Sequence, residues 1–365
     1  MYVIPKKLKV GVIGATGMVG QRFLSLLADH PYFDVIKLAA SARSAGKSYE
    51  EALAGRWKLE EQMPAQFKDI IVENAADVSD FAKDIDFVFC AVDMKADETV
   101  ALETAYAKAE CPVVSNNKAC RWIADVPMMI PELNPEHMDA IPLQRKRLGT
   151  NYGFVAAKPN CSIQSYVPML TPLLKYRPTK VAVTTYQAIS GAGKTFAEWP
   201  EMIDNVIPYI GGEEEKSEME PLKIWGKLTD SGIVTAKEPI ISAQCIRVPV
   251  TDGHMAAVFV SFEEKPAAEQ IISEWKNFEG EPQRLGLPNA PEQFITYFDE
   301  PDRPQTKLDR DIYRGMGITA GRLRPDTIFD YKFIGISHNT LRGAAGGAVE
   351  TAELLAAKGW LRSKS

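Results

Sequence analysis

The first third of the chain alternates short apolar runs with amphipathic segments. Runs rich in apolar and β-branched residues predict strands over residues 7–14, 35–40, 86–92 and 112–115. Apolar residues recur at helical spacing after the first run and again over residues 99–109, which predicts two helices. The run at 86–92 is apolar almost throughout, as in a strand covered on both faces. Strands that alternate with helices predict a doubly wound parallel sheet.

The rest of the chain predicts a second sheet, mixed or antiparallel. Its strand patterns occur at residues 181–186, 242–249, 255–262, 318–323 and 329–336. A helix predicted over residues 266–278 would cover one face of this sheet. A second helix, over residues 343–358, repeats alanine at positions that permit close contact, so we expect it to pack back on the first half.

Glycines connect the first strand to the first helix in the segment Gly11-Val-Ile-Gly14-Ala-Thr-Gly17-Met-Val-Gly20. Glycine permits a tight turn and lets a pyrophosphate approach the N–H groups of a helix N-terminus. The spacing is not G-x-G-x-x-G, so the prediction depends on the strand–turn–helix context; glycines needed only for packing are the alternative. The predicted cofactor contacts are Gly14, Ala15, Thr16, Gly17, Met18 and Val19.

The second strand ends in a segment that carries hydroxyl groups and cations, at Ser41, Arg43, Ser44 and Lys47. An NAD enzyme usually has Asp or Glu here, to accept a hydrogen bond from the ribose 2′-hydroxyl. The planar fork of arginine suits a phosphate ester instead. The segment therefore predicts NADP as the cofactor, with a solvated basic loop as the alternative.

Composition excludes several classes of protein. No apolar run approaches the roughly 20 residues that span a bilayer, and residues 1–7 lack the pattern of a signal peptide, so we expect a cytoplasmic protein without membrane partners. A net charge of −6 argues against nucleic acid as a partner. The five cysteines form no Cys-x-x-Cys pair and the four histidines show no metal-binding spacing. Neither a disulfide framework nor a metal site is predicted.

The middle of the chain carries candidate chemistry. Cys161 precedes a predicted helix over residues 163–176, whose macrodipole and free N–H groups would lower the pKa of the thiol. This position predicts a nucleophile, although a lone cysteine is often a small buried apolar residue. Arg247 and His254 flank a short turn between two predicted strands, and histidine is the usual proton carrier near neutral pH.

Three motifs together resemble the signature series of aspartate-semialdehyde dehydrogenases: Asn160-Cys161-Ser162, Tyr186-Gln187-Ala188-x-Ser190-Gly191 and Arg247-x6-His254. The segments Asn205-Val-Ile-Pro-Tyr-Ile210 and Gly-Glu-Glu-Glu-Lys216 are similar to the branch found in archaea and fungi. With the Gly11–Gly20 segment and the terminal run from Asn339, the resemblance covers nearly the whole chain.

The resemblance implies a role for each matching residue. Cys161 would be the nucleophile, His254 the acid–base group and Gln187 the residue that holds the acyl intermediate. Arg247 would bind the substrate α-carboxylate, and Glu213 its α-amino group, with Glu214 or Glu215 as alternatives. The implied phosphate ligands are Arg121, Asn160 and Lys216, and further cofactor contacts are Ser190, Gly191, Asn339 and Thr340.

The resemblance also implies an overall organisation and an activity. An α/β fold would combine a Rossmann-type NADP-binding domain (1–157, completed by 339–365) with an α+β catalytic and dimerisation domain containing a mixed sheet (158–338). The implied reaction is NADPH-dependent reductive dephosphorylation of L-aspartyl-4-phosphate to L-aspartate-4-semialdehyde, which releases inorganic phosphate, in lysine, threonine and methionine biosynthesis. The implied assembly is a homodimer or homotetramer.

Two other functions compete with this one. Malonyl-CoA reductase resembles the same branch and would use the same cysteine with a different acyl donor. The run Ala188-Ile-Ser-Gly-Ala-Gly193-Lys194-Thr195 resembles a Walker A loop, which would indicate a nucleotide hydrolase. However, a Walker A loop usually follows the first strand of its fold, where this chain has its glycine segment.

Overall fold

The computed structural model describes residue 4 and residues 6–364. Over these residues the protein has an α/β fold with two six-stranded sheets and one two-stranded hairpin, which confirms the predicted fold class. The N-terminal segment 1–7, predicted not to be a signal peptide, lies mostly outside the described residues. In the part of the chain that is described, no helix is both long and apolar enough to span a membrane.

The first sheet is entirely parallel, as the alternating pattern predicts. Its strands are β1 (Leu8–Ile13), β2 (Phe33–Ala40), β3 (Val72–Asn74), β4 (Phe87–Cys90), β5 (Val113–Ser115) and β6 (Val155–Ala157). They lie in the order β3-β2-β1-β4-β5-β6, so the strand order reverses between β1 and β4. Ligands of such sheets bind outside the carboxyl ends of the strands at this reversal.

The second sheet is mixed, and the five strands predicted for it are all present with shifted ends. The remaining strands of the chain are β7 (Pro178–Gln187), β8 (Lys227–Thr229), β9 (Gly232–Val234), β10 (Ile240–Arg247), β11 (His254–Phe262), β12 (Ile295–Phe298), β13 (Ile318–Pro325) and β14 (Tyr331–Ser337). The sheet order is β10-β7-β11-β14-β13-β12, while β8 and β9 form the hairpin. The edge strand β12 has no counterpart among the predicted strands.

The helices vary widely in length. The α-helices are α1 (Met18–Leu27), α2 (Tyr49–Leu53), α3 (Val78–Phe81), α4 (Ala96–Lys108), α5 (Ile141–Leu148), α6 (Val167–Leu170), α7 (Glu213–Ile224), α8 (Ala268–Lys276), α9 (Glu281–Leu285), α10 (Thr306–Asp309), α11 (Ile312–Gly315) and α12 (Ala345–Ala357). Short 3-10 helices occupy Ala65–Phe67, Ala82–Asp84, Pro135–Ala140, Ser162–Ser165, Thr171–Tyr176, Ile189–Ala192 and Pro200–Met202. The twelve-residue helix α7 was not predicted from the sequence.

The helix predicted over residues 163–176 is wrong. The chain forms a 3-10 turn at Ser162–Ser165, the single turn α6, and a second 3-10 segment. Tyr166 departs from helical geometry with φ −148°, and Pro168 and Pro172 lack the backbone N–H groups that a continuous helix would use. Apolar periodicity is therefore present without a continuous helix.

The C-terminal helix returns to the first sheet, as predicted. Almost every residue of α12 is buried, and Ala348, Val349 and Ala352 share one hydrophobic cluster with Phe23 and Leu24 of α1. A separate cluster joins the second sheet to α6. The segment around Cys161 runs directly from β6 of the first sheet to α6 under the second. It therefore lies where the two halves of the molecule meet.

Candidate active site

The predicted catalytic residues come from the ends of separate elements. Cys161 lies four residues after β6, at the carboxyl edge of the first sheet. Gln187 ends β7, Arg247 ends β10 and His254 begins β11. Because β7 is paired parallel to β10 and antiparallel to β11, these three positions lie at the same end of their strands. The strand ends of the two sheets meet at Cys161, whose sulfur contacts His254.

Cys161 and His254 are in direct contact. Sγ of Cys161 lies 3.4 Å from Nε2 of His254, and the backbone N–H of Ala188 donates to Nδ1 at 3.1 Å. A backbone amide can only donate, so Nδ1 is the acceptor, and a neutral imidazole carries its proton on Nε2. The imidazole is completely buried, and burial followed by the charge of Arg247 holds the pKa of His254 well below its usual range. The neutral ring therefore presents a proton to the sulfur.

The pKa of Cys161 differs from the prediction. Burial, followed by the negative charge of Glu213, raises the pKa of the thiol to about 11, which outweighs Lys158, Arg247 and Arg121. The expected helix N-terminus is only a 3-10 turn. Its first N–H, on Ser162, already donates to Oδ1 of Asn160 at 2.8 Å. The predicted lowering of the thiol pKa is therefore wrong.

Lys158 is a buried cation beside the nucleophile that the sequence analysis did not single out. Its side chain is 2% exposed, and Nζ donates to the carbonyl oxygen of Pro159 at 3.0 Å. Burial lowers the pKa of Lys158 to about 7, and the largest opposing contribution comes from Cys161. A lysine three residues before a nucleophile was the available signal, but sequence alone does not tell a buried lysine from an exposed one.

Arg247 is held by the chain segment that also holds His254. Its Nη1 donates to the carbonyl oxygen of Ala188 at 2.6 Å, while the N–H of the same residue holds the imidazole. Gly191 lies directly against both side chains, because a Cβ there would stand 2.9 Å from Nη1 of Arg247 and 3.1 Å from the ring of His254. This close approach explains why residue 191 is a glycine.

Glu213 is the glutamate of the 213–215 run that joins the cluster. Its carboxylate accepts from Nδ2 of Asn160 at 3.1 Å and from Nε2 of Gln187 at 3.3 Å, and pairs with Lys216 at 2.5 Å. Burial alone would raise the pKa of Glu213, but Lys216, Asn160 and Gln187 lower it below its usual value. In contrast, Glu214 accepts from the backbone of Cys245, and Glu215 is exposed.

The three predicted phosphate ligands line one cavity. Arg121, Asn160 and Lys216 surround a space of about 270 Å³, together with Lys118. Asn117, in the same loop, also lines this space and its amide bonds to the buried Glu103, whereas Cys120 is buried and does not line it. The cavity lining therefore carries three cationic side chains against one carboxylate, that of Asp93.

Five of the predicted cofactor residues, from three segments, lie beside the nucleophile. A cavity of about 120 Å³ beside Cys161 is also lined by Val19 of the glycine loop and by Ser190, Gly191, Asn339 and Thr340. Asn339 links two of these segments, since Nδ2 donates to Oγ of Ser190 at 2.8 Å and Oδ1 accepts from the N–H of Gly253 at 2.8 Å. The remaining segment, Ser41–Lys47, lies at the end of β2, and all its predicted contacts except Ser44 are exposed.

The glycine loop is a tight turn, as predicted. Gly14 has φ +83°, and a Cβ there would lie 2.1 Å from the carbonyl oxygen of Ala91. By contrast, a Cβ at Gly17, which caps α1, would meet only backbone of the same turn at 3.5 Å. The N-terminus of α1 thus faces open space at the strand reversal, where a pyrophosphate group fits.

The Walker-like run does not have the structure that phosphate binding requires. It follows β7, but the described stretch from Gly193 to Gly212 contains one short 3-10 helix and no α-helix. Nζ of Lys194 lies 4.5 Å from the centre of the Trp199 ring instead of pointing into a backbone cradle. A Walker A loop must lead into a helix whose N-terminus binds the phosphates.

Known proteins match this chain along nearly its whole length. A family model described as the NAD binding domain of semialdehyde dehydrogenase matches residues 9–141, and one described as the dimerisation domain matches residues 170–342. An aspartate-semialdehyde dehydrogenase of Aspergillus fumigatus is 42% identical over 99% of this chain and 100% of its own length. The chain belongs to the aspartate-semialdehyde dehydrogenase family. This confirms the resemblance inferred from the motifs.

Further relatives of the family agree with the predicted branch. The aspartate-semialdehyde dehydrogenase of Methanothermobacter thermautotrophicus is 43% identical over 95% of this chain and 98% of its own. The crystal structure of aspartate-semialdehyde dehydrogenase with NADP from Candida albicans superposes with a TM-score of 0.87, at 39% identity, covering 98% of this chain and 100% of that one. Fungal and archaeal members of the family are thus both close in sequence, as the 205–216 segment predicts.

Proposed function

We propose that the protein is an NADP-dependent aspartate-semialdehyde dehydrogenase, which reductively dephosphorylates L-aspartyl-4-phosphate to L-aspartate-4-semialdehyde. The observation that carries the proposal is the cavity in which Cys161, paired with His254, lies beside Val19 of the glycine loop and the 339–340 segment. Nucleotide site and nucleophile are therefore adjacent. The product feeds the synthesis of lysine, threonine and methionine. Malonyl-CoA reductase is not favoured, because the full-length relatives are named for the semialdehyde.

The proposed mechanism begins with the sulfur of Cys161 attacking the acyl carbon of the substrate. The new C–S bond replaces the C–O bond to phosphate, whose oxygen takes the electron pair and accepts the thiol proton. Arg121 and Lys216 stabilise the charge on the departing phosphate. The resulting thioester is held by Gln187. Glu213 would bind the substrate α-amino group and Arg247 its α-carboxylate.

His254 is the proton-carrying group beside the sulfur. Its Nε2–H is positioned to stabilise the thiolate, or the oxyanion that forms on the adjacent carbon. Bound NADPH supplies the hydride that reduces the thioester. Collapse of the reduced adduct then breaks the C–S bond and releases the aldehyde, and the Cys161 thiolate takes up a proton from solvent through His254. Phosphate and semialdehyde are thus the products, and the sulfur ends as it began.

The hydrogen-bond donors at the end of β2 suit the 2′-phosphate of NADP. Arg43 and Lys47 supply exposed cations at the end of β2, and Ser41 supplies an exposed hydroxyl beside them. A 2′-phosphate would accept hydrogen bonds from all three. The NADP complex of the Candida albicans relative supports the same choice.

The proposal extends to domain organisation and assembly. We place the boundary of the NADP-binding domain at residue 157, with residues 339–365 returning to it, and assign residues 158–338 to catalysis and dimerisation. The match to a family model named for dimerisation supports a homo-oligomer, and we propose a homodimer or homotetramer. We propose the cytoplasm as its location and small molecules as its other partners.

The first test is the spectrophotometric formation of NADPH from L-aspartate-4-semialdehyde, NADP and inorganic phosphate. Parallel reactions omit phosphate, replace NADP by NAD, or use Cys161→Ala. We expect phosphate-dependent turnover that prefers NADP and falls below detection in Cys161→Ala. Oxidation of NADPH by malonyl-CoA, without turnover of the semialdehyde, would retain the thioester chemistry and refute the proposed substrate.

A further inference from the structure

A buried carboxylate lies behind the proposed phosphate site. Glu220 of α7 lies seven residues, or about two turns, after Glu213, and its side chain is fully buried. Its Oε1 accepts a hydrogen bond from Nη1 of Arg121 at 2.9 Å, and its Oε2 accepts one from the backbone N–H of Asn160 at 2.6 Å. One carboxylate therefore holds two proposed phosphate ligands that lie in different loops.

The same helix also holds the backbone of the Arg121 loop. Lys223, one turn further along α7, donates from Nζ to the carbonyl oxygens of Arg121, Ile123 and Val126. Lys223 is 2% exposed, so its ammonium group has little access to water as an alternative partner. Helix α7 thus holds both the guanidinium and the backbone of Arg121 by hydrogen bonds, and the loop can move only if these bonds break.

The contacts of Arg121 determine which edge of the guanidinium can meet an anion. Nε donates to the carbonyl oxygen of Lys158 at 2.8 Å, and Nη1 donates to Glu220. Nη2 lies 3.4 Å from the carbonyl oxygen of Asn116, the longest of the three contacts. Nη2 is therefore the group that an incoming phosphate can recruit at the least cost.

We propose that Glu220 is a positioning residue for phosphate, which orients the guanidinium of Arg121 and fixes the backbone of Asn160 immediately before Cys161. The inference rests on the proposed function, and it extends that function to a residue that acts through two others. A carboxylate is required because both of its oxygens accept. An amide would turn an NH₂ group toward one of the two donors.

The test compares Glu220→Gln with Glu215→Gln, which removes the same charge from the exposed face of α7. In Glu220→Gln we expect the KM for inorganic phosphate to rise about tenfold, as for the loss of one hydrogen bond to a charged group. The KM for NADP should change by less than about twofold. The phosphate concentration that half-protects Cys161 from iodoacetamide, measured without cofactor, should rise by the same factor as the phosphate KM.

Coupling to Arg121 separates positioning from general structural damage. In an Arg121→Gln background, Glu220→Gln should raise the phosphate KM by much less than it does in the unmodified protein, because its main partner is already gone. Thermal unfolding of each variant establishes that it is folded. Should Glu220→Gln fail to fold, Glu220→Asp keeps the charge but shortens the side chain by one methylene, and its phosphate KM should still rise selectively.

Several outcomes would overturn the inference. An unchanged phosphate KM in a folded Glu220→Gln protein would do so, and so would an equal rise in the KM values for phosphate and NADP. Either result, obtained beside phosphate-dependent turnover of the unmodified protein, leaves the proposed function intact. If the unmodified protein needs no phosphate, both the proposed function and the role of Glu220 fall.

Discussion

The glycine loop and the cluster around Cys161 both border the small cavity between the two halves of the molecule, but they are built differently. The loop is one continuous segment, from Gly14 to Val19, and offers mainly backbone N–H groups beside open space. The cluster gathers Cys161, Gln187 and His254 from distant parts of the chain and buries most of their polar atoms. One region is local and partly exposed, and the other is long-range and largely buried.

This difference determines how each region responds to change. In the cluster, Glu213 is bound at once by Asn160, Gln187 and Lys216, so altering one side chain alters the environment of the others. Segment Ser41–Lys47 instead carries exposed side chains that each meet a ligand independently. The effects of a substitution should therefore spread to other residues in the cluster around Cys161 and remain confined in segment Ser41–Lys47.

The largest effect is expected from His254→Gln. Loss of a positioned proton carrier should lower kcat by about 10²- to 10⁴-fold, with little change in the KM for NADP. Because the pKa of His254 lies well below its usual range, His254 should give kcat no step near the ordinary imidazole pKa of about 6.5, and any step there should be absent in Lys158→Met. Steady-state kinetics between about pH 5.5 and 8, in steps of roughly half a pH unit, would measure the fall in kcat and its pH dependence.

The matched control for that prediction is His137→Gln. His137 is equally buried but bonds to Asn134 and to the carbonyl oxygen of Gly226, away from the cysteine. It should lose stability and retain kcat. If both variants lost kcat equally, the contact between His254 and Cys161 would not be what distinguishes the cluster.

The same contrast explains what could be predicted from the sequence. Four strands of the first sheet and the glycine turn follow from local patterns, since strand, turn and helix are adjacent in the chain, but β3 and β6 were not predicted. The residue types of the cluster could be proposed only from motifs spread between Asn160 and His254. The electrostatics of the cluster could not be predicted, because the raised pKa of Cys161 depends on burial and on Glu213, which α7 brings close. That helix itself was missed, with its internal Pro221 and a run of three glutamates.

Arg43→Gln should give an intermediate and confined effect. Losing the guanidinium group that binds the 2′-phosphate should raise the KM for NADP about thirtyfold, equivalent to roughly 2 kcal/mol. The KM values for NAD and for phosphate should stay nearly unchanged, because no other side chain depends on this exposed arginine for its position. Lys68→Gln removes an exposed charge elsewhere on the first domain and serves as control. A parallel rise in the phosphate KM would contradict the independence of the two regions.

The smallest effect concerns Lys158, which tests whether charges inside the cluster depend on one another. The pKa of Lys158 is lowered to about 7, so its ammonium form is substantially populated below that pH and favours the thiolate of Cys161. In Lys158→Met, alkylation of Cys161 by iodoacetamide at about pH 6.5 should be roughly three- to tenfold slower, equivalent to half to one pKa unit. As the pH rises through 7 the amine loses its proton, and the difference between the two proteins should shrink.

Lys158→Arg retains a charge that does not titrate in this range, so its alkylation rate should remain high and its advantage over Lys158→Met should persist at higher pH. Mass spectrometry of the Cys161 peptide separates its reaction from that of the four other cysteines, which are all buried. A ratio between the unmodified protein and Lys158→Met that is constant with pH would mean that the lysine only supports the fold. A ratio that falls as Lys158 deprotonates would mean that the cluster tunes its nucleophile through a neighbour that sequence alone did not reveal.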